Sequence, residues 1–245
     1  MLLACLIATC SVATAEDVAV ALSRAGYRLV ASEPPSCEES GLVVTVDIHG
    51  IGVRTATYQE IDNERRSRLT FKGKRFRFEA TNRGEWGGSL IAIDRDGQKQ
   101  TLLEDAMRST NTVALISLGS RLYLFAGLDH MSLNSGSVYV IDDFDTKPRV
   151  SLVTLLPEAP ILVSLEPGSK RFLMISYSGV MELVLSDFLV VHTIHQFRFE
   201  GVASAVALGP NLLLGLCRSI AVVHLPLRDN EPPRAQNASI RYFAK

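Results

Sequence analysis

The sequence has no excess of either charge, and this absence already narrows the classes of function. Its 245 residues include 25 basic and 26 acidic side chains, for a formal net charge of −1. A chain without net positive charge is not expected to bind nucleic acid through its overall field. Charged residues make up 21% and hydrophobic residues 47% of the chain. This balance is typical of a globular protein and excludes a disordered, collagen-like or coiled-coil chain.

Short catalytic motifs are also missing. The chain contains no Gly-x-Ser-x-Gly, no His-Glu-x-x-His and no phosphate-binding glycine loop. The stretch Asp94-Arg95-Asp96-Gly97 begins like a calcium-binding loop, but the other ligands do not follow, so a hairpin turn is expected there. His192 and His195 lie three residues apart, which on a strand directs them to opposite faces and disfavours a shared metal ion. We therefore expect no metal and no cofactor.

No apolar run is long enough for a transmembrane segment, which needs roughly 20 apolar residues. The run from Met1 to Val12 is shorter and precedes Ala13-Thr14-Ala15, the pattern of a secretory signal peptide cleaved after Ala15. No lysine or arginine precedes the run, which is atypical, and a buried N-terminal helix is an alternative. A lipid anchor at Cys10 is disfavoured because threonine is a poor residue before a lipidated cysteine. The sequence thus predicts export, to the periplasm or the extracellular space.

Only four cysteines are present, and two of them leave with the signal peptide if it is cleaved. Cys37 and Cys217 then remain, and an even pair in an exported protein favours a disulfide. Such a bond would close a loop of about 180 residues and restrict the unfolded chain. Two unpaired thiols are the alternative. Two cysteines so far apart argue against a zinc site, which needs four ligands.

The sequence predicts one short helix followed by strands. Apolar residues recur at helical spacing within residues 16–31, and Pro34-Pro35 ends any helix in the linker that follows. From residue 42 onward, short apolar runs alternate with turn residues. The expected organisation is a signal peptide over residues 1–15, a helix and linker over residues 16–41, and an all-β domain over residues 42–245.

One strand pattern recurs four times in this β-rich part. Its copies are Gly88–Asp94, Gly136–Asp142, Gly179–Leu185 and the weaker Ser219–His224, which begin 48, 43 and 40 residues apart. A second strand-like run precedes each copy, and further runs lie before and after most copies. One period therefore holds about four strands.

This period resembles the β-propeller superfamily, whose blades are four-stranded sheets of similar length. The resemblance covers residues 60–225, carries no blade signature such as Trp-Asp, and implies an all-β propeller of about four to five blades. The early runs over residues 42–48 and 53–61 would supply the missing part or complete the last blade. A β-sandwich is the alternative, which explains the alternation of apolar and polar residues but not the repeat.

Basic residues are concentrated between Arg65 and Arg83, with phenylalanines interleaved. Such a pattern can bind single-stranded nucleic acid. The stretch Arg75-Phe76-Arg77-Phe78 also fits a half-buried strand with phenylalanines inward and arginines outward, and we adopt this interpretation. Binding of an anionic glycan or a lipid head group is the next alternative.

The expected binding site lies on one face of the propeller. In this fold the loops between the second and third strands share a face with the loops between blades. Two of the former are long, over residues 81–87 and 127–135, and the blade-to-blade loop over residues 104–111 lies between them. An aromatic side chain beside convergent polar groups is typical of a binding site, unless Trp86 packs against the blade edge. The candidate residues are Arg83, Trp86, Arg108, Asp129, His130 and Asn134.

These observations favour a non-enzymatic binding or interaction module whose partner is another protein or a glycan. Two alternatives stay open. A hydrolase could act on glycans through axial carboxylates, because the pairing of such groups is spatial and leaves no sequence motif. The chain could also be a structural module of a cell-envelope complex.

Overall fold

The structure is a computed structural model that describes residues 15–31, 40–47, 50–105, 111–130, 133–166, 168–185, 190–196, 201–225 and 239–245. Residues 1–14 of the predicted signal peptide, which include Cys10, lie outside the described residues. Cys37 lies outside them as well. Ala15, the last residue of the predicted signal peptide, begins the first helix. The first elements are helix α1 (Ala15–Arg24), strand β1 (Arg28–Val30), the hairpin of β2 (Ser40–Asp47) and β3 (Gly50–Thr57), and helix α2 (Tyr58–Ser67).

Four antiparallel sheets follow along the chain. Sheet 1 consists of β4 (Thr70–Lys72), β5 (Arg77–Ala80), β6 (Gly88–Ile93) and β7 (Lys99–Asp105), with a 3₁₀ turn at Gly84–Trp86. Sheet 2 consists of β8 (Thr112–Leu118), β9 (Arg121–His130), β10 (Leu133–Asp142) and β11 (Arg149–Leu156). Sheet 3 consists of β12 (Leu162–Leu165), β13 (Arg171–Ile175), β14 (Gly179–Val184) and β15 (Val190–Gln196). Sheet 4 consists of β16 (Ser204–Leu208), β17 (Asn211–Gly215), β18 (Ser219–His224) and β19 (Ser239–Ala244), and β1 pairs with β19.

The sheets are arranged like the blades of a propeller. Within each sheet the strands pair in chain order, so the first strand of each sheet lies at one edge. These edge strands, β4, β8, β12 and β16, contact one another in succession, and β16 also contacts β2. The prediction of an all-β, propeller-like fold with four to five blades is confirmed, and the sandwich alternative is wrong.

The last sheet is completed differently from the expectation. Its outer strands are β19 and β1, which pair from Arg28 opposite Ala244 to Val30 opposite Tyr242. The early runs over residues 42–48 and 53–61 do not complete this blade, because β2 and β3 form a separate hairpin beside it. Residues 28–30, expected within the helix and linker, form a strand because the edge of β19 offers them backbone partners.

Apolar clusters fill the space between successive sheets. Every residue of β13 and of β17 is buried, because sheets 3 and 4 are covered on both faces. In β5 burial alternates, with Phe78 fully buried and Arg77 exposed. The interpretation of this basic segment as a half-buried strand is therefore confirmed at β5.

Helix α2 stands where the sequence suggested a strand continuing to residue 61. Strand β3 ends at Thr57, whose Oγ1 accepts from the Glu60 backbone N–H, and the Glu60 carboxylate accepts from the Thr57 N–H at 2.7 Å. This capping box fixes the start of the helix. The bond from the Thr57 N–H, together with the bond that Thr57 Oγ1 donates to the Glu60 carboxylate at 2.9 Å, lowers the pKa of Glu60. Its contribution to stability is therefore present above the ordinary carboxyl pKa and is lost as the pH falls through the lowered value.

The hairpin is fastened to sheet 4 by close backbone contact. The Leu42 N–H donates to Leu216 O at 2.7 Å, and Ser204 Oγ donates to Leu42 O at 3.1 Å. A Cβ atom at Gly215 would lie 1.9 Å from Leu42 O. The approach of β2 to sheet 4 therefore requires glycine at this position.

Replacement of Gly215 by alanine is expected to lower the free energy of unfolding by about 1–3 kcal/mol, because the added methyl group overpacks the contact with Leu42. Urea denaturation measures this loss. Gly52→Ala is the matched control, since a Cβ there would meet only the rotatable hydroxyl of Thr45, at 2.7 Å. Equal losses in the two variants would show that the close contact with Leu42 is not what fastens the hairpin.

Candidate functional site

A cavity of about 410 Å³ lies where α2 meets the loops at one end of sheets 1, 2 and 3. Asn82 and Gly84 of the loop over residues 81–87, residues 127–129 and Asn111 line this cavity. The stretch over residues 127–135 is not the long loop that was expected, because β9 continues to His130 and β10 begins at Leu133. The polar and charged residues that line it are Asp62, Arg65, Arg66, Asn82, Asn111, Thr112, Asp129 and Tyr177.

The predicted site residues take different positions around the cavity. Asp129 lines it. Asn134 supports one wall, because its Oδ1 accepts from the Ala159 N–H at 2.7 Å. Arg83 and Trp86 belong to the loop over residues 81–87 and His130 ends β9, but none of the three lines the cavity. The Arg83 guanidinium lies 4.0 Å from Glu104 Oε1. Arg108 lies outside the described residues. A functional role for this face stays a prediction.

Two asparagines at the cavity hold its rim in place. Asn111 is buried; its Oδ1 accepts from the Arg83 N–H at 3.0 Å, and its Nδ2 donates to Gly84 O. Asn82 Oδ1 accepts from the Gly84 N–H at 3.1 Å. These amides are occupied by the loop around the 3₁₀ turn, so the ionised side chains and the exposed Tyr177 are the groups of the lining that can meet a ligand.

The wall formed by residues 159–161 approaches sheet 2 through a pair of glycines. Gly127 and Gly136 are opposite each other in β9 and β10. A Cβ at Gly127 would lie 2.7 Å from Ala159 Cα, and one at Gly136 would lie 2.7 Å from Glu158 O. The absence of side chains at these two positions lets the connection to sheet 3 cross over sheet 2 and close one side of the cavity.

The charged residues of the cavity come from two different elements. Helix α2 supplies Arg65, Arg66 and Asp62, whereas Asp129 comes from the end of β9. Burial is the main cause that lowers the pKa of Arg65, and the charge of Asp62 raises it in the opposite direction. Within the described part of the chain, neither Arg65 nor Asp129 forms an ion pair with another side chain. The cavity thus has a cationic side at α2 and a free carboxylate on sheet 2.

Asp62, Arg65 and Arg66 were not among the site residues expected from the sequence. The two arginines were assigned to the basic segment leading into a strand, which placed them away from the loop face. The pattern Thr57-x-x-Glu60 is a readable signal for a helix start. A helix predicted from this pattern would have assigned Asp62, Arg65 and Arg66 to the helix rather than to the strand that follows it.

The calcium-loop-like stretch over residues 94–97 forms a turn, and the two histidines with metal-like spacing lie in a strand. Asp94 Oδ1 accepts from the N–H groups of Asp96 at 2.9 Å and Gln98 at 2.8 Å, and Gly97 has a φ of 80°. The stretch is therefore the predicted hairpin turn. His192 and His195 both lie in β15. Across the described ranges, no three His, Cys, Asp or Glu side chains are grouped as ligands for a metal ion.

Cys217 is buried and forms a disulfide. Its partner lies outside the described residues, so the predicted pairing with Cys37 stays a prediction. Neither of the helices in the described ranges is both long and apolar enough to cross a membrane.

Trp86 is 72% exposed, which excludes packing of its ring into a blade edge. Trp86→Ala is expected to change the free energy of unfolding by no more than about 0.5 kcal/mol, because an exposed side chain contributes little to the folded state. Urea denaturation tests this, with Phe78→Ala as the buried comparison, for which a loss of about 3–5 kcal/mol is expected. A large loss in the Trp86 variant would place its ring in the core after all.

Comparisons with known proteins yield weak likenesses. No protein-family model and no curated protein matches the chain. A gluconolactonase from Xanthomonas campestris matches at a TM-score of 0.42 and 11% identity, over 69% of this chain and 68% of its own. A putative 6-phosphogluconolactonase from Bacteroides fragilis matches at 0.42 and 12% identity, over 81% and 67%. A hemopexin-fold protein from cow pea matches at 0.29 and 10%, over 71% and 90%.

The expectation of a non-enzymatic binding module is wrong on these comparisons, because two of the three proteins are named as lactonases, which are hydrolases. At TM-scores of 0.42 and below, the likenesses assign no substrate and no site residue to this chain.

Proposed function

We propose that the protein is a hydrolase of carboxylic esters, cyclic esters included, with its active site in the cavity between α2 and the loops of sheets 1 to 3. The observation that carries the proposal is the carboxylate of Asp129, which lines the cavity without an ion-pair partner among the described residues and shares it with the guanidinium groups of α2. A free carboxylate can act as a general base.

The charge of the cavity favours an ester over a glycoside. Ester hydrolysis builds negative charge on the carbonyl oxygen in its transition state, and nearby cations stabilise that charge. Glycoside hydrolysis instead passes through a cationic, oxocarbenium-like transition state flanked by two carboxylates. The second carboxylate here, Asp62, lies on α2 beside Arg65 and acts on its charge. The surroundings of Arg65 and Arg66 therefore suit an oxyanion and disfavour an oxocarbenium ion.

The reaction follows from these groups. Asp129 accepts a proton from a water molecule while the water oxygen forms a bond to the carbonyl carbon. The carbonyl π-electrons move to oxygen, and the positive potential of α2 stabilises the resulting anion. The intermediate collapses, the carbon–oxygen bond to the leaving alcohol breaks, and the protonated Asp129 returns its proton to the leaving oxygen. No further reactant is needed.

The test is a substrate panel for the full chain, containing aryl esters, sugar lactones and aryl glycosides. We expect turnover of esters or lactones and none of glycosides. Asp96→Asn is the matched control, since Asp96 is an exposed carboxylate in the turn between β6 and β7, outside the cavity, and this variant should retain wild-type rates. Absence of ester and lactone hydrolysis, or cleavage of glycosides alone, would contradict the proposal.

Export of the protein is a separate proposal, supported by the apolar run before Ala15 and by the disulfide at Cys217, since disulfides persist in oxidising compartments. Mass spectrometry of the protein recovered outside the cytoplasm is expected to show Glu16 at the N-terminus and a bond between Cys37 and Cys217. Recovery of the intact chain, with Met1, from the cytosol alone would contradict it.

A further inference from the structure

We infer that Arg65 binds an anionic group of the substrate, a carboxylate or a phosphate, at the end of the cavity formed by α2. The inference deepens the proposed function, because it assigns the chemical class of the substrate taken by the same cavity. It rests on three observations: the hydrogen bond that fixes Arg65, the absence of an ion-pair partner for its guanidinium among the described residues, and the position of the Asp129 carboxylate.

Arg65 is fixed in position without being neutralised. Its Nη2 donates to Val202 O at 2.7 Å, which ties α2 to the start of sheet 4. Its Nε is buried and has no hydrogen-bond acceptor. Of the three buried side-chain polar atoms in the described ranges that lack such a partner, this is the one that belongs to a residue lining the cavity. A carbonyl oxygen satisfies one donor but does not balance the charge of the guanidinium.

A partly buried cation without a paired carboxylate is unfavourable in the empty protein and favourable once an anion arrives. The planar guanidinium offers several donors in a fixed arrangement that matches the oxygens of a carboxylate or a phosphate. Asp62 lies one helical turn before Arg65 and offsets part of its charge, but Arg66 adds a second cation at the same end. The α2 end of the cavity is therefore suited to an anion.

The remaining lining limits where the reacting bond of such a substrate lies. Asp129 is on β9 of sheet 2, whereas Arg65 is on α2. A substrate that places its anionic group at Arg65 thus turns a different part of its length toward Asp129. The expected substrate is a small ester or lactone with a permanent negative charge separated from its carbonyl group.

The inference is tested first by binding, without any reaction. Titration calorimetry measures the affinity of the full chain for inorganic phosphate in one arm and for acetate in the other, at constant ionic strength. We expect binding of at least one anion, weakened about tenfold or more in Arg65→Gln because a charged hydrogen-bonded contact is lost. Arg95→Gln is the matched control, since this exposed arginine donates to Lys74 O at 2.9 Å away from the cavity. Asp129→Asn should bind the anion at least as well as the wild type.

A second measurement decides the matter if Arg65→Gln fails to fold. The wild type is compared on p-nitrophenyl hemisuccinate and on p-nitrophenyl pentanoate, which are similar in length but differ in charge. We expect kcat/KM to favour the anionic ester by about tenfold or more, and phosphate to inhibit its hydrolysis competitively. Equal values for the two esters, or anion binding that is unchanged in a folded Arg65→Gln variant, would overturn the inference while leaving an esterase in place. Anion binding that depends on Arg65, without hydrolysis of any ester, would instead overturn the proposed function alone.

Discussion

Replacement of Asp129 by asparagine is expected to lower the rate of ester hydrolysis by roughly 100- to 10,000-fold, the usual contribution of a general base. Asparagine has nearly the same shape but cannot accept the proton of the attacking water. Because Asp129 is exposed to the cavity, the substitution should leave the free energy of unfolding almost unchanged. Steady-state kinetics on the best substrate of the panel measures the effect, which should appear in kcat.

Two further variants separate a role in catalysis from a general effect of charge. Asp62→Asn removes the other carboxylate of the cavity and should lower kcat much less than Asp129→Asn, because Asp62 acts on Arg65 rather than on water. Asp96→Asn should have no effect. If Asp62→Asn abolished activity while Asp129→Asn retained it, the general base would have been assigned to the wrong residue.

The second large effect is expected in sheet 3, where Arg171 and Glu182 form a buried ion pair. Arg171 on β13 is 7% exposed and Glu182 on β14 is 5% exposed. The guanidinium donates to Glu182 Oε1, and Glu166 Oε2 lies 3.8 Å from its Nη1. Arg171→Met leaves the Glu182 carboxylate buried without its partner, so we expect a loss of about 3–5 kcal/mol in the free energy of unfolding.

The double variant Arg171→Met with Glu182→Leu is the control for this prediction. Removing both charges leaves no unpaired carboxylate at position 182, and well-packed apolar replacements of such pairs are often neutral. Glu166, whose side chain is 13% exposed, also loses the arginine, but at 3.8 Å it is the more distant and more exposed of the two carboxylates. The double variant should therefore recover most of the stability lost in the single variant, as measured by urea denaturation. A loss below about 1 kcal/mol in Arg171→Met would show that the pair is far more solvated than its burial indicates.

The repeat could be predicted from the sequence because each blade is a local unit. The third-strand pattern of Gly88–Asp94 and Gly136–Asp142 matches β6 and β10 closely, since alternation, turn residues and strand length all lie within one short segment. The outer strands of sheet 4 could not be predicted in the same way. The pairing of β1 with β19 joins residues more than 200 positions apart, and no residue pattern in either strand indicates which strand it pairs with.

The candidate site was only partly predictable for a similar reason. Asp129 and Asn134 could be placed near the cavity because strand order alone fixes where the second and third strands of a blade meet, although both residues lie in β9 and β10 rather than in a loop. Arg65 did not, because its position depends on α2 crossing toward Val202, a contact between residues 137 positions apart in the chain. Trp86 was the most conspicuous side chain in the sequence, yet its side chain does not line the cavity. Sequence composition draws attention to a rare aromatic residue as a candidate for binding. The charged residues that line the cavity come from separate parts of the chain, and only the packing of the fold brings them together.

The most direct measurement is a crystal structure of the Asp129→Asn variant soaked with the best ester or lactone of the panel. The account predicts intact substrate in the cavity between α2 and the loops of sheets 1 to 3, with its carbonyl group beside residue 129 and its anionic end on the guanidinium of Arg65. Substrate bound elsewhere would contradict it. The groove of about 750 Å³ between sheets 2 and 3, lined by Arg121 and Lys170, is the first place where such a contradiction would be seen.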